Sequence, residues 1–490
     1  MRRAWARIEV GTAVLRASVP DHFLSFNLNS VSMDSDHWSD AAGALRPDLV
    51  AAMRAFPGAY LRYPGGNLSN HFASDWAVGP VADRRPQRLV EHAAALPVRF
   101  GPREYLDLVA AAGARSWYTL NLVGWDAEQY GVERPSAEVA AANGRLAELR
   151  RQFDPTRGPR WYHLGNELDR NRYQWPVERY VQRCRETMAA VRAADPESRF
   201  VAFLRDFDLG WRAAGGPAHG IDHAAKVLAG LPEVSDASLQ VYYDRAAGEG
   251  QRSDLGWRWR LIDRFVTALP RRAGRPVALW ITEHAQARDL QAREGPRRMK
   301  LATTSGIGGA VASADFVLGA LRRPVIQATF WHAVGGGVWW DLFEPGPGTL
   351  RPTPAYHAFR LLREHLAGAV VDCEVRSSDG GTYAGGYDVN TAVLQDAPRH
   401  WTVLVANRAP VPADLTLVLP DVADRRLRAA LHTVSAAAAA SGDPGGELQA
   451  VTEQAAPFTI TADRASRVTA VVPARCVAAL RLAPDDTTGG

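Results

Sequence analysis

Eight short apolar runs, each separated from the next by a longer segment, restrict this chain more than any other feature. They are "HFLSFNLNSV" (22–31), "AYLRYPGG" (59–66), "RSWYTLNLVG" (115–124), "RWYHLGNE" (160–167), "RFVAFLRD" (199–206), "SLQVYYD" (238–244), "PVALWITEHA" (276–285) and "IQATFWHAV" (326–334). Between them lie segments such as "PREYLDLVAAAG", "VERYVQRCRETMAAVRAA" and "LGWRWRLIDRFVTALP". Apolar residues recur there at three- and four-residue steps, the spacing of an amphipathic helix. Eight strands alternating with helices over ~340 residues predict an α/β fold, a closed (β/α)8 TIM barrel. A doubly wound open sheet is the alternative, but no Gly-rich dinucleotide loop follows the first strand.

After about residue 368 the texture changes to "GTYAGGYDVNTAVLQ", "HWTVLVANRA", "ADLTLVLP" and "RVTAVVPARCVAALRLAP". Short alternating runs between Gly, Pro and Asp turns predict a C-terminal β-sandwich. The opening "ARIEVGTAVLRASV" alternates in the same way and precedes the first barrel strand, so it is expected to join that sandwich. The expected division is 1–18 as a sandwich strand, 19–367 as the barrel and 368–490 as the sandwich.

With 47% hydrophobic and 22% charged residues, the composition is that of a globular protein with a large core. The net charge is only +4, and the basic residues, nearly all arginine apart from Lys226 and Lys300, form no single run, which argues against a nucleic-acid partner. Cys184, Cys373 and Cys476 are odd in number and widely spaced, so neither a disulfide framework nor a metal site is indicated. No uninterrupted stretch of ~18 apolar residues occurs, so no membrane span is expected. Arg7, Glu9 and Arg16 interrupt what would otherwise resemble a secretion signal, and a cytoplasmic location is expected. Composition does not reveal the oligomeric state.

In a (β/α)8 barrel the reacting residues stand at the C-terminal ends of the strands. Here the second strand ends "RYPGGN", the fourth "GNE", the sixth "YYD" and the seventh "TEH". Glu167 and Glu283 therefore face one rim. Two apposed carboxyl groups, one protonated and one ionised, are the machinery of glycoside hydrolysis. Asn166 can bond a sugar hydroxyl, while Arg62 and Tyr242 are placed beside Glu283 to keep it ionised. Trp125, Trp331, Trp339 and Trp340 offer flat faces for sugar rings, with core packing as the competing assignment. Arg62 has a competing assignment as a structural ion pair, and "GNELD" as a solvated polar loop. His284 and His332 are expected to be satisfied rim histidines, not metal ligands. No cofactor is called for, and the expected partner is a carbohydrate.

"LRYPGGN", "GNELD", "SLQVYYD" and "ITEHA", in that order, resemble the retaining glycosidases that carry catalytic glutamates on barrel strands four and seven. The nearest resemblance is to the α-L-arabinofuranosidases of glycoside hydrolase family 51. That family has an Arg-Tyr-Pro-Gly-Gly-Asn stretch, matched by Arg62 to Asn67, and a Gly-Asn-Glu stretch, matched by Gly165 to Glu167. The resemblance implies Glu167 as acid/base, Glu283 as nucleophile and Asn67 as a substrate contact. It also implies a barrel followed by a sandwich that takes in the N-terminal strand. Several positions depart from the pattern. Asn27 and Asn29 stand where the family has a glutamate, Gln240 where it has a histidine, and His284 and Ala285 where it has Trp-Asn. The strand-eight segment with Gly335 to Gly337 is also unusual. These departures leave β-xylosidase-like and heparanase-like specificities open. A transglycosylase or a non-catalytic carbohydrate-binding barrel protein are the alternatives in function.

Overall fold

A computed structural model describes residues 3–28, 37–39, 42–89, 94–125, 131–169, 173–204, 217–244, 253–287, 297–335, 340–344, 349–378, 388–436 and 444–485. The chain begins with β1 (Ala4–Arg16). Eight barrel strands follow: β2 (Leu24–Asn27), β3 (Tyr60–Tyr63), β4 (Arg115–Leu120), β5 (Arg160–Leu164), β6 (Ser198–Phe203), β7 (Asp236–Tyr243), β8 (Ala278–Gln286) and β9 (Ile326–Trp331). They pair in sequence order, all in parallel, and β9 returns to β2 to close the barrel. Each of the eight apolar runs supplies one strand.

The helices α1 (Pro47–Met53), α2 (Pro102–Ala112), α3 (Ser136–Phe153), α4 (Val177–Ala194), α5 (Pro217–Gly230), α6 (Leu255–Ala273), α7 (Arg297–Ser305), α8 (Ile307–Leu321) and α9 (Pro354–His365) lie between and after the strands. Alternation along each strand divides the barrel residues into two sets. Leu61, Tyr63, Tyr162, Leu239, Tyr243, Ile281 and Trp331 belong to the core shared with the helices. Tyr60, Trp117, Val201, Trp280, Ala328 and Phe330 form a separate interior cluster, with Trp161 packed against it. Trp117 lies 4.7 Å from Trp280, ring to ring. This aromatic floor fills the barrel and leaves only the far end for a polar layer.

Nine strands make up the C-terminal part: β10 (Ala369–Ser377), β11 (Val389–Ala397), β12 (His400–Asn407), β13 (Ala413–Val418), β14 (Arg426–Ala436), β15 (Ala450–Gln454), β16 (Phe458–Thr461), β17 (Arg467–Val472) and β18 (Cys476–Pro484). With β1 they form one sheet in the order β15-β14-β18-β12-β11-β10-β1-β13-β17, and β16 also pairs with β14. β1 runs antiparallel to β10 and parallel to β13, so the N-terminal strand is built into the C-terminal sheet. Residues from both ends of the sheet, such as Leu415, Leu427 and Val468, share one core, so the sheet wraps over itself as a sandwich.

β11, β12 and β18 are buried on both faces. Val393, Val403 and Leu480 point into the sandwich, while Leu394, Leu404 and Ala479 join the barrel core. Every helical residue of α8 except Gly308 is buried at that joint. By length and composition Met299–Leu321 could cross a membrane, but 94% of its most apolar window is buried inside the protein.

Candidate active site

Counting by twos along the interior leads from the aromatic floor to a polar layer. Tyr60 is followed by Arg62, Trp161 by His163, Ser238 by Gln240 and then Tyr242, and Phe330 by His332. Arg62 is completely buried at the centre of this layer. Its Nη1 donates to Asn27 Oδ1 at 2.6 Å and to Glu283 Oε1 at 2.9 Å. Its Nη2 donates to Asn166 Oδ1 at 2.6 Å and lies 3.3 Å from His163 Nδ1. Because guanidinium nitrogens only donate, His163 Nδ1 must accept. The imidazole proton is thereby assigned to Nε2, which donates to Ser238 Oγ at 2.7 Å. Burial, reinforced by the Arg62 charge, pushes His163 well below its ordinary value, so the ring is neutral.

Glu283 reaches this layer only because β8 departs from regular pairing. Ile281 pairs with Leu239 and Glu283 with Gln240, so two residues on β8 oppose one step on β7. This irregularity shifts the alternation. Trp280 and Glu283 both face inward, although a regular strand would place residues three apart on opposite faces. Tyr242 donates to Glu283 Oε2 at 2.6 Å, and His332 Nδ1 stands 3.8 Å from the same oxygen. Burial alone would raise the Glu283 carboxyl. The charges of His332 and Arg62 and the hydrogen bonds from Tyr242 and Arg62 outweigh it, and Glu283 is held below the ordinary glutamate value. Gly66 passes so close that a Cβ there would lie 3.1 Å from Glu283 Oε1.

At the end of β5 the chain turns through two left-handed residues, Gly165 at φ +77° and Glu167 at φ +52°. A left-handed glutamate is uncommon and carries local strain. Between them Asn166 points inward. Its Oδ1 accepts from Arg62 and, at 2.7 Å, from Gln240 Nε2. Its Nδ2 donates to Asn67 Oδ1 at 3.2 Å, and its carbonyl accepts from Asn70 Nδ2 at 2.7 Å. Glu167 itself is half-buried at the rim, and its charge, like that of Glu283, acts on Arg62. Asn166 is thus held by a buried network and is not merely solvated.

Gly165 allows this turn. A Cβ there would meet Leu168 Cδ1 at 2.8 Å and Leu122 Cδ1 at 3.1 Å. Gly165→Ala therefore combines left-handed strain with overpacking and should lower unfolding stability by about 1–3 kcal/mol. A denaturant midpoint equal to that of the parent protein would show that the turn tolerates a side chain.

The aromatic expectations divide. Trp125 packs at the rim against His71 and Tyr173, with ring centroids 4.5 and 5.5 Å away, and is mostly buried. Trp340 is half-buried, 5.3 Å from Tyr242 and 5.0 Å from His332, with its N–H donated to Gln286 O at 2.8 Å. Trp331 must be reassigned from sugar contact to core. It follows the inward Phe330 by one residue, so it points outward, is fully buried and packs on Phe359 at 5.3 Å. His284 is likewise a core residue and not a rim histidine, 4.7 Å from Phe316, while His332 is at the site. Asn29 and Trp339 lie outside the described residues. Asn27 and Gln240, which sequence marked only as departures in the sugar-contacting shell, are bonded into the network by Arg62 and Asn166, while His163 was not recognised from sequence. Two-residue counting from Trp161 would have found it.

Fold and site together define a (β/α)8 barrel with glutamates at the ends of its fourth and seventh strands, followed by a β-sandwich. Among solved structures, the fold over nearly the whole chain is shared by a family 51 α-L-arabinofuranosidase from Bifidobacterium longum. Its TM-score is 0.73 at 15% identity, covering 97% of this chain and 99% of that one. A family 51 arabinofuranosidase from Xanthomonas axonopodis pv. citri gives a TM-score of 0.70 at 16% identity, covering 98% and 99%. An intracellular exo-α-(1→5)-L-arabinofuranosidase from Streptomyces lividans is 32% identical over 175 residues, which are 34% of this chain. That match spans 25% of the length of the curated relative. No protein-family model matches the sequence.

Proposed function

We propose that this protein is a retaining glycoside hydrolase of the α-L-arabinofuranosidase type, with Glu283 as nucleophile and Glu167 as acid/base. The observation that carries this reading is the buried Glu283 carboxylate, bonded on one oxygen by Arg62 and on the other by Tyr242. A carboxylate fixed in this way is ionised and aimed, as a nucleophile must be. The relatives named above are arabinofuranosidases, which supports the choice of sugar.

In the first displacement, a Glu283 oxygen bonds the anomeric carbon while the bond to the leaving oxygen breaks and Glu167 gives that oxygen its proton. In the second, Glu167 takes a proton from water, the water oxygen bonds the anomeric carbon, and the Glu283 ester breaks. Two displacements leave the configuration unchanged. Direct attack of this kind suits carboxyl groups about 5–5.5 Å apart, against about 6.5–9.5 Å for inversion. Asn67 and Trp125, with Trp340 beside Tyr242, form the substrate-facing rim in this reading. The reaction draws on no cofactor. The curated relative's description as intracellular supports an intracellular location, which cell fractionation would test.

The test is a screen of 4-nitrophenyl α-L-arabinofuranoside, β-D-xyloside and β-D-glucuronide together with arabinan and xylan. Proton NMR of the first sugar released should show the substrate's own anomeric configuration. Initial release of the opposite anomer would rule out the double displacement. Sugar transferred to an added alcohol in place of water would favour a transglycosylase. Binding without turnover of any substrate would leave a carbohydrate-binding protein.

A further inference from the structure

Arg408 belongs to the sandwich, directly after β12, yet its side chain is only 7% exposed and bonds residues of the barrel. Its Nη2 bonds Asp244 Oδ2, while Nη1 bonds Asp315 Oδ2 at 3.2 Å and Ser253 Oγ at 2.8 Å. Burial would weaken a guanidinium charge, but Asp244 and Asp315 more than compensate, so Arg408 is firmly cationic. Asp315 is further fixed by Asn390 Nδ2 at 2.6 Å.

Asp244 is where the barrel side of this cluster converges. It directly follows β7 in a left-handed conformation, φ +64°, which aspartate adopts more readily than most residues. Its Oδ1 accepts from Ser253 Oγ at 2.8 Å and from the Asp254 amide at 3.2 Å. Its own amide donates to Asp254 Oδ1 at 2.6 Å, and Asp254 pairs with Arg258. Gln286 Nε2, at the end of β8, donates to Asp244 Oδ2 at 2.9 Å. Asp244 therefore ties together the ends of the two strands that carry Tyr242 and Glu283. From Gln286 the chain of contacts continues through its carbonyl to Trp340, which packs on Tyr242.

We propose that Arg408 is a positioning residue for the nucleophile half of the active site, acting across the domain joint through Asp244 and Gln286 to hold Tyr242 against Glu283. The sandwich is then part of the catalytic apparatus as well as a cover for the barrel helices. Tyr242 is two residues from Asp244, and Glu283 is three from Gln286, so small shifts of either strand end change the 2.6 Å contact between them. A misplacement of about 1 Å in such a site costs on the order of 100-fold in rate. The remaining groups around Glu283 are Arg62 from β3 and His332 beyond β9, neither of which touches Arg408 among the described residues.

This inference rests on the glycosidase reading for its kinetic test, so a second readout is independent of turnover. Arg408→Gln and Arg408→Lys would be purified as the full chain. Their Glu283 carboxyl would be titrated by carbon NMR, assigned by its absence in Glu283→Gln. In Arg408→Gln the Glu283 titration should move up by about half a unit to one unit as the Tyr242 contact loosens. On 4-nitrophenyl α-L-arabinofuranoside, kcat per folded molecule should fall at least about 10-fold with KM changed much less, and the acidic limb of kcat/KM should rise with the titration. Arg408→Lys, which keeps the charge and loses the fork, should fall between the two and serves if Arg408→Gln does not fold. A variant that is only less stable, with an unmoved Glu283 titration and unchanged kcat per folded molecule, would return Arg408 to a purely structural role. If the parent protein turns over no glycoside while the titration still moves, the proposed function fails and the positioning contact stands.

Discussion

Glu283→Gln is expected to lower kcat by about 10⁴-fold or more, roughly 5.5 kcal/mol of lost transition-state stabilisation, while KM stays within a few-fold of the parent value. The carboxylate forms its bond to the anomeric carbon only as the leaving oxygen departs. Its loss therefore removes an interaction specific to the transition state. The amide keeps the shape of the side chain: its oxygen can still accept from Arg62, which bonds Glu283 Oε1 at 2.9 Å, while its NH2 takes the place of the oxygen that accepts from Tyr242 at 2.6 Å and can donate to that hydroxyl. Both variants remove the charge partner of the buried guanidinium, but Glu283→Ala also removes its hydrogen-bond acceptor and leaves a cavity, so folding should survive better in Glu283→Gln. In the smaller Glu283→Ala variant, azide is expected to take the vacated space and yield a glycosyl azide of inverted configuration. Steady-state kinetics on an accepted aryl glycoside checks the first point, and NMR of the azide product the second. A kcat within 10-fold of the parent would remove Glu283 from the mechanism.

Arg62→Met should be the most damaging change to the framework of the site. It removes the donor to Asn27, Glu283 and Asn166 at once and leaves a buried carboxylate without its cation. The expected loss of unfolding stability is about 3–5 kcal/mol at neutral pH. The pH dependence follows from the depressed Glu283 carboxyl. A carboxyl lowered in the folded state contributes stability above its unfolded value, and that contribution is lost as pH falls through the folded value. Without Arg62 the folded value rises, so acid unfolding should begin at higher pH. The acidic limb of kcat/KM should rise with it, because the ionised nucleophile becomes harder to form. Denaturant titrations at several pH values and a pH–rate profile measure the two effects. An acidic limb that stays in place in a folded variant would make Arg62 a structural ion pair only.

The barrel was legible because parallel strands buried on both faces read as short apolar runs, and the helices between them carry a different period. The sandwich and the placement of β1 in it were legible from two-residue alternation and turn residues. Arg62 and Tyr242 were found at strand ends, and both bond Glu283. Trp331 was misjudged because proximity to a strand end was given more weight than parity. The inward Phe330 fixes its neighbour outward, against Phe359. Asn27, His163 and Gln240 obey the same parity, but uncharged or neutral polar residues inside a strand carry no sign of their own.

The sequence by itself determined the order of the elements and which strand ends carry acids, because burial of apolar runs and the alternation of side chains are local properties. It did not determine that Glu283 faces inward. That depends on the irregular pairing between Ile281 and Glu283, which exists only when β8 is laid against β7. It also did not determine that Asp244 and Gln286 meet, or that Arg408, 164 residues from Asp244 along the chain, closes on them. Those contacts join groups that share no local period, and only the closed barrel with the sandwich packed on its helices brings their charges within bonding distance.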